Sequence, residues 1–236
     1  MRVWVGTSGF SYPPWRGSFY PAKLPAADML GFYAQQLPTV EINNTFYRMP
    51  SPALLERWSA ATPADFVFAL KCSRRITHEL RLHDAQSAVE RFASGAASLG
   101  GKLGPVLFQL PPWLHKDLPR LEAFLAVLAQ VARGLRPAFE FRHASWFSDD
   151  VYATLRAAGA ALCIAEAEKL DTPLQATADW GYLRLRREDY TPAALDAWAE
   201  RIAGQAWHEV YVFVKHETAE APTLARRLLD AFHPNG

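Results

Sequence analysis

The segment Phe139-Glu140-Phe141-Arg142-His143-Ala144-Ser145-Trp146-Phe147 (FEFRHASWF) decides how the rest of the chain is read. As a strand it alternates Phe139, Phe141 and His143 against Glu140 and Arg142, because strand side chains point to opposite faces with period two. One face is greasy and the other ionised. An antiparallel sheet would turn the ionised face to water, but here strands are separated by helices, which predicts a parallel sheet covered by them. A charged face inside such a protein must be paired or line a cavity. In a closed α/β barrel that cavity lies at the carboxyl ends of the strands. Glu140 and Arg142 are the first candidate site residues on this ground.

Outward from this segment the same pattern recurs. Strands are expected at Arg2–Val5, Val40–Phe46, Phe66–Leu70, Pro105–Leu110, Ala161–Ala165, Gly181–Leu185 and Val210–Val214. Between them, helical periodicity covers Asp28–Gln36, Pro52–Ala61, Ala85–Leu99, Leu118–Val131, a stretch capped by Ser148 or Asp149 and ending at Ala158, a stretch from Thr191-Pro192 to Gly204, and Leu224–Phe232. The exception is Lys169–Asp179, which holds Pro173 and no apolar stripe, so a loop is expected where a barrel helix would stand. Eight strands with this alternation predict a TIM-like (β/α)8 barrel in a single domain over residues 1–236, with an open doubly wound sheet as the runner-up. The aromatic loop after the first strand, with Phe10, Tyr12, Trp15, Phe19 and Tyr20, reads as a lid or a plug.

With 236 residues, half of them apolar, the chain can bury a sizeable core. A net charge of +1 supplies no field for bulk nucleic acid or an anionic membrane, so neither is favoured as a partner. Cys72 and Cys163 stand alone, as reduced thiols of a cytosolic protein would. The chain enters a strand at Arg2 without a basic and apolar leader and has no run of about 18 apolar residues. A cytoplasmic protein is expected; the oligomeric state is open.

The blocks GTSGFSY with Trp15 and FYP, VEINNTFYRMP, RRITH, GPVLFQLPP, EFRHASWF, ATADWGYLRLR and YVFVKHE, in this order, resemble the domain-of-unknown-function 72, or YecE-like, family along essentially the whole chain. The resemblance implies a TIM-like barrel and carries motif positions rather than residue roles. One departure is visible: the family commonly continues the seventh strand as LRLHG, whereas this chain has LRLRRED.

At the expected strand ends stand Glu41, Asn43, Lys71, Gln109, Glu140, Arg142, Glu166, Arg184, Lys215, His216 and Glu217. Carboxylates beside fixed cations can be driven apart in pKa to give an acid and a base, and Glu140 and Glu41 are the candidates for that chemistry. The competing explanation is a structural ion-pair network across the barrel top. Arg142 and Arg184 suit a carboxylate or phosphate, Lys71 and Lys215 add point charges, and Asn43 and Gln109 add hydrogen bonds. His78 in the basic RRITH loop suits an anion, whereas His143 falls on the Phe face. Of the loop aromatics Phe10, Tyr12, Trp15, Phe46, Tyr47, Trp113, Trp146 and Trp180, most are expected to pack the rim; Tyr12, Trp15 and Trp146 are those expected to face a sugar ring or base. Cations and carboxylates are about equal in number, which disfavours a metal, and no phosphate loop, zinc spacing or Ser-His-Asp order points to a cofactor or to covalent serine chemistry. Three functions fit: acid/base hydrolysis or isomerisation of a small anionic sugar- or nucleotide-like substrate, binding of a nucleic-acid end or phosphorylated ligand without turnover, and metal-assisted phosphoester or isomerase chemistry.

Overall fold

The computed structural model describes residues 1–166, 170–187, 189–215 and 217–232. Eight parallel strands close into a barrel in sequence order: β1 (Arg2–Ser8), β2 (Thr39–Ile42), β3 (Val67–Lys71), β4 (Leu103–Gln109), β5 (Pro137–Glu140), β6 (Ala161–Glu166), β7 (Trp180–Leu185) and β8 (Glu209–Val214). Helices α1 (Met29–Ala34), α2 (Pro52–Ala60), α3 (Gln86–Ala96), α4 (Leu118–Val131), α5 (Asp149–Ala157), α6 (Pro192–Ala203) and α7 (Ala221–Ala231) cover the outside. The closed sheet rules out the open doubly wound alternative.

Helix starts follow local chemistry. The side chains of Ser51, Asp117 and Thr191 accept from the backbone N–H of Leu54, Arg120 and Ala194, and each is followed by a proline in the first helical turn, where no N–H is needed. Between β6 and β7 the described residues form no helix. Lys169 lies outside the described residues. Further on, Thr177 fastens this connection, its hydroxyl donating to the Ala160 carbonyl at 2.8 Å and accepting from the Leu162 N–H at 2.7 Å.

The barrel interior is filled unevenly. Trp4, Trp180, Tyr182, Tyr211 and Phe213 from β1, β7 and β8 face Ala69, Ala138, Ala161, Cys163 and Ala165 from β3, β5 and β6. Large rings opposite small side chains let the layers interdigitate at interior packing density. Gly6 serves the closure directly, because a Cβ there would collide with the Thr39 carbonyl oxygen of the paired strand. Trp4 stacks on Tyr211 with centroids 4.8 Å apart, and Trp180 meets Tyr211 edge-on, so the amino-terminal end of the barrel is plugged by rings. Trp180 therefore belongs to the end of the barrel opposite the expected site.

Two strands are shorter than alternation implies. The expected Val40–Phe46 strand stops at Ile42, and Asn44–Phe46 form a 3-10 turn. There the Thr45 hydroxyl contacts the carbonyls of Ile42 at 2.8 Å and Lys71 at 2.7 Å, an instance of side-chain bonding that competes with the ladder. Likewise β5 ends at Glu140, and His143 caps the turn Ala144–Trp146 by accepting from the Ser145 N–H. Among the described residues no helix is long and apolar enough to cross a membrane.

Candidate functional site

Parallel register brings the ionised inward positions together. Ser8 of β1 is paired with Glu41 of β2, and Gln109 of β4 with Glu140 of β5. Arg184 of β7 reaches both carboxylates through the barrel interior, with Nη2 3.0 Å from Glu41 Oε1 on β2 and Nη1 2.5 Å from Glu140 Oε2 on β5. Glu41, Glu140 and Arg184 are all 0% exposed. Glu41 is further held by donation from the Ser8 hydroxyl at 2.6 Å and the Tyr182 phenol at 2.7 Å. Glu140 Oε1 receives Gln109 Nε2 at 2.8 Å and Arg186 Nη1 at 3.0 Å, with Arg142 Nη1 at 3.6 Å.

This wiring sets the charge states. Burial by itself would raise both carboxylates, but Arg184 with Ser8, Tyr182 and Lys71 holds Glu41 below the usual range. For Glu140 burial is likewise outweighed, by Arg184, Arg186 and Arg142, and its pKa falls to about 2. The pair is ionised at neutral pH and its oxygens are occupied by donors.

Above this layer opens a cavity of about 700 Å³ at the carboxyl ends of the strands. Lys71, Arg142, Arg186 and Lys215 line it, with Glu217 as a lining carboxylate, and Ser8, Tyr12, Asn43, Asn44 and Gln109 add polar atoms. With Arg184 and the two carboxylates beneath included, the described side chains place five cations against three carboxylates, an excess of about two positive charges. Lys71 Nζ donates to Gln109 Oε1 at 2.8 Å and lies 4.3 Å from the centroid of the Phe46 ring. Burial first, and the charge of Arg184 second, lower its pKa to about 8. Lys215 is also lowered, by burial and then by Arg186 and Arg184. Among the described residues no group of three or more His, Cys, Asp or Glu side chains comes together as a metal cradle.

A family model described as "Protein of unknown function DUF72" matches residues 4–236. The chain belongs to the DUF72 family. It is similar to UPF0759 protein YunF of Bacillus subtilis, 30% identical over 156 residues that make up 64% of this chain and 54% of that protein. It also matches UPF0759 protein YecE of Escherichia coli, 30% identical over 124 residues, 52% of this chain and 43% of the relative. The chain thus spans about half the length of the curated relatives it matches. Among solved structures, a DUF72 family protein from Thermotoga maritima superposes with a TM-score of 0.83 at 26% identity, covering 99% of this chain and 100% of that one.

Of the candidates expected from sequence, this DUF72 barrel gathers Glu140, Glu41, Arg184, Arg142, Lys71, Asn43, Gln109, Lys215 and Tyr12 in or directly beneath one cavity. Tyr12 also donates to the Ser8 carbonyl at 2.6 Å, and burial, followed by Glu217, raises its pKa to about 12. His78 is not in the lining; it bonds Thr77 through Nδ1 and meets the Phe46 ring edge-on at 4.9 Å. Burial, then Lys71, Arg74 and Arg142, lower its pKa.

Trp15 and Trp146 do not reach the cavity, contrary to expectation. Both are 0% exposed. The Trp15 indole donates to the Thr218 carbonyl at 2.8 Å and packs against Tyr12, Phe19 and Tyr20, so the first aromatic loop is a plug. Trp146 stacks on Phe141 with centroids 4.6 Å apart and donates to the Leu114 carbonyl. Large rings on loops are drawn into the barrel-to-helix seam by the area they bury. Glu166 also leaves the site: it faces outward and accepts from Trp198 Nε1, the Tyr190 hydroxyl and Arg187. His143 contacts Ser145, and its ring meets that of His115 at a tilt, with centroids 3.9 Å apart. His216 lies outside the described residues.

Arg186 was not among the expected site residues, although it shares the inward face of β7 with Tyr182 and Arg184. Strand alternation carries that signal one step past the end of the strand. Phe46 and Asn44 could not be read this way, because they sit on a helical turn.

Proposed function

We propose that the barrel mouth of this protein is a site for a small sugar- or nucleotide-like molecule bearing a phosphate or carboxylate, held by Arg142, Arg186, Lys71 and Lys215. The observation that carries this reading is the excess of cations over carboxylates facing a single cavity. Guanidinium forks match the geometry of phosphate and carboxylate oxygens, and an entering anion relieves the mutual repulsion of the four cations. Tyr47, 80% exposed, lines the same cavity and offers a ring face for a base or sugar beyond the anionic group.

The acid/base role expected for Glu140 and Glu41 is reassigned in this reading. Their oxygens hold Arg184 and Arg186 in place, and a carboxylate with a pKa near 2 is a weak base. Any hydrolysis or isomerisation at this mouth would draw its proton-active group from Lys71, which faces the cavity.

The test is a thermal-shift and calorimetric series with sulfate, inorganic phosphate, sugar phosphates and nucleotides at low and high salt. Binding raises the melting temperature by linkage. Arg142→Gln should weaken binding by roughly tenfold or more, as expected for one charge-assisted hydrogen bond. Failure of every anion to bind at low salt would remove the proposal; binding without any turnover would leave a receptor rather than an enzyme.

A further inference from the structure

We infer that Lys71 is an amine nucleophile that forms an imine with a small anionic aldehyde or ketone at the barrel mouth. The inference rests on the anionic-ligand reading and adds to it the reacting group of the ligand, a carbonyl.

Four features of the site carry this. First, both carboxylates beneath Lys71 are occupied by guanidinium groups, and among the described residues none lies within ion-pair distance of Nζ. An ammonium with no carboxylate partner has little to hold its proton. Second, the Gln109 amide is oriented by its donation to Glu140, which turns Oε1 toward Lys71. That oxygen accepts one N–H from either the charged or the neutral amine, so the neutral form stays satisfied while its lone pair is free for the cavity. Third, the Phe46 ring lies over Nζ at 4.3 Å; its face attracts the ammonium, but it also shields that side of the amine from water, and burial is the larger influence on the proton. Fourth, the other lining groups divide the labour. Arg142 and Arg186 remain charged and cannot act as nucleophiles, so they can hold the anionic end of the molecule while the amine meets its carbonyl.

A lysine desolvated beside other cations is a recognised way to raise the neutral, nucleophilic fraction. Arg184, Arg186, Glu41 and Glu140 face this amine from β7, β2 and β5, with burial the largest influence, and its pKa is brought to about 8. In the step itself the Nζ lone pair adds to the carbonyl carbon, and one N–H proton passes to the oxygen to give a carbinolamine. Loss of that hydroxyl together with the second N–H proton releases one water and leaves the C=N bond. No oxidant or reductant is required.

Pyridoxal 5′-phosphate, an aldehyde that carries a phosphate, serves as the probe. The full chain is incubated with it, reduced with borohydride to fix any imine, and mapped by peptide mass spectrometry. The chain has few competitors: Lys23, Lys71, Lys102, Lys116, Lys169 and Lys215 are its lysines. At pH 8 about half of Lys71 is neutral, against under about 1% of an ordinary lysine; since an amine of lower pKa is also the weaker nucleophile, Lys71 should label at least about tenfold faster than the exposed Lys23. Excess sulfate should suppress labelling of Lys71 and leave the surface lysines unchanged. Lys71→Arg should lose the fast label yet still gain melting temperature with sulfate. Labelling that follows exposure alone, or that goes first to Lys215, overturns the inference while a sulfate shift keeps the anion site. Absence of both the sulfate shift and the protection would remove the two together.

Discussion

Arg184 reaches from β7 past β6 to Glu140 on β5, Nη1 to Oε2 at 2.5 Å, with neither side chain exposed to solvent. Such a pair does not stabilise the fold merely by being an ion pair, since taking two charges out of water offsets much of their attraction. Removing one partner is different, because it leaves the other charge buried and uncompensated.

Glu140→Gln should therefore lower stability by about 3 kcal/mol or more, a fall of about 10 °C in melting temperature for a domain of this size. Arg184→Met should cost more than Glu140→Gln, because it leaves both Glu41 and Glu140 buried without that guanidinium, and the double variant should cost less than the sum of the two single losses, since both act on one network. A double-variant loss equal to the sum of the two single losses would show that the pair is not coupled. Differential scanning calorimetry of the three proteins decides this.

The same pair sets the acid limb of stability. The folded-state pKa of Glu140 is depressed from 4.5 to about 2, and Glu41 is depressed as well. A depressed carboxylate contributes stability that is fully present above its unfolded value and is lost as pH falls through the folded one. Urea unfolding should thus show stability declining between about pH 4.5 and pH 2. Glu140→Gln should flatten part of that decline, and an unchanged slope in the variant would assign the acid sensitivity elsewhere.

Lys71 predicts a pH dependence of the opposite kind, in binding. Its pKa lies near 8, and an anion in the cavity favours the protonated amine. Sulfate affinity should fall as pH rises through about 8, by roughly tenfold over the range where the amine deprotonates. Lys71→Arg keeps a charge that does not titrate there and should bind sulfate evenly. Persistence of the same pH profile in that variant would point to another group.

Trp146 tests the division between packing and function. It is fully buried against Phe141, so Trp146→Ala should cost about 3–5 kcal/mol through the cavity it leaves. Trp146→Phe should cost less and leave anion affinity unchanged, since the ring does not line the cavity. A large change in affinity with little change in melting temperature would return Trp146 to the site.

Much of this arrangement could be read in advance wherever alternation persisted. Glu140, Glu41, Lys71, Gln109 and Arg184 stand at inward strand positions, and a period of two is enough to place them there. Asn43 and Arg142 stand at the mouth, although they lie one and two residues beyond the ends of their strands. Tyr12 came from its loop with no such rule behind it. Reading failed at the turns. Trp15 and Trp146 carry no local mark that distinguishes a ring facing a ligand from one filling a seam. Glu166 is a strand residue, and its alternation with Leu162 and Ile164 already turns it to the outer face of β6.

By itself, then, the sequence determined the barrel and the set of side chains able to face its interior, because strand alternation and helix periodicity are properties of short windows of chain. Only the tertiary structure decided which charge meets which. Arg184 and Glu41 are 143 residues apart, and closure of β8 onto β1 is what brings β7 within reach of β2. Once that closure satisfies both carboxylates with guanidinium groups, the remaining cations, Lys71 and Lys215 among them, are left facing the cavity above two ionised carboxylates. No local pattern could carry that outcome, because it depends on the distances between residues that the chain keeps far apart.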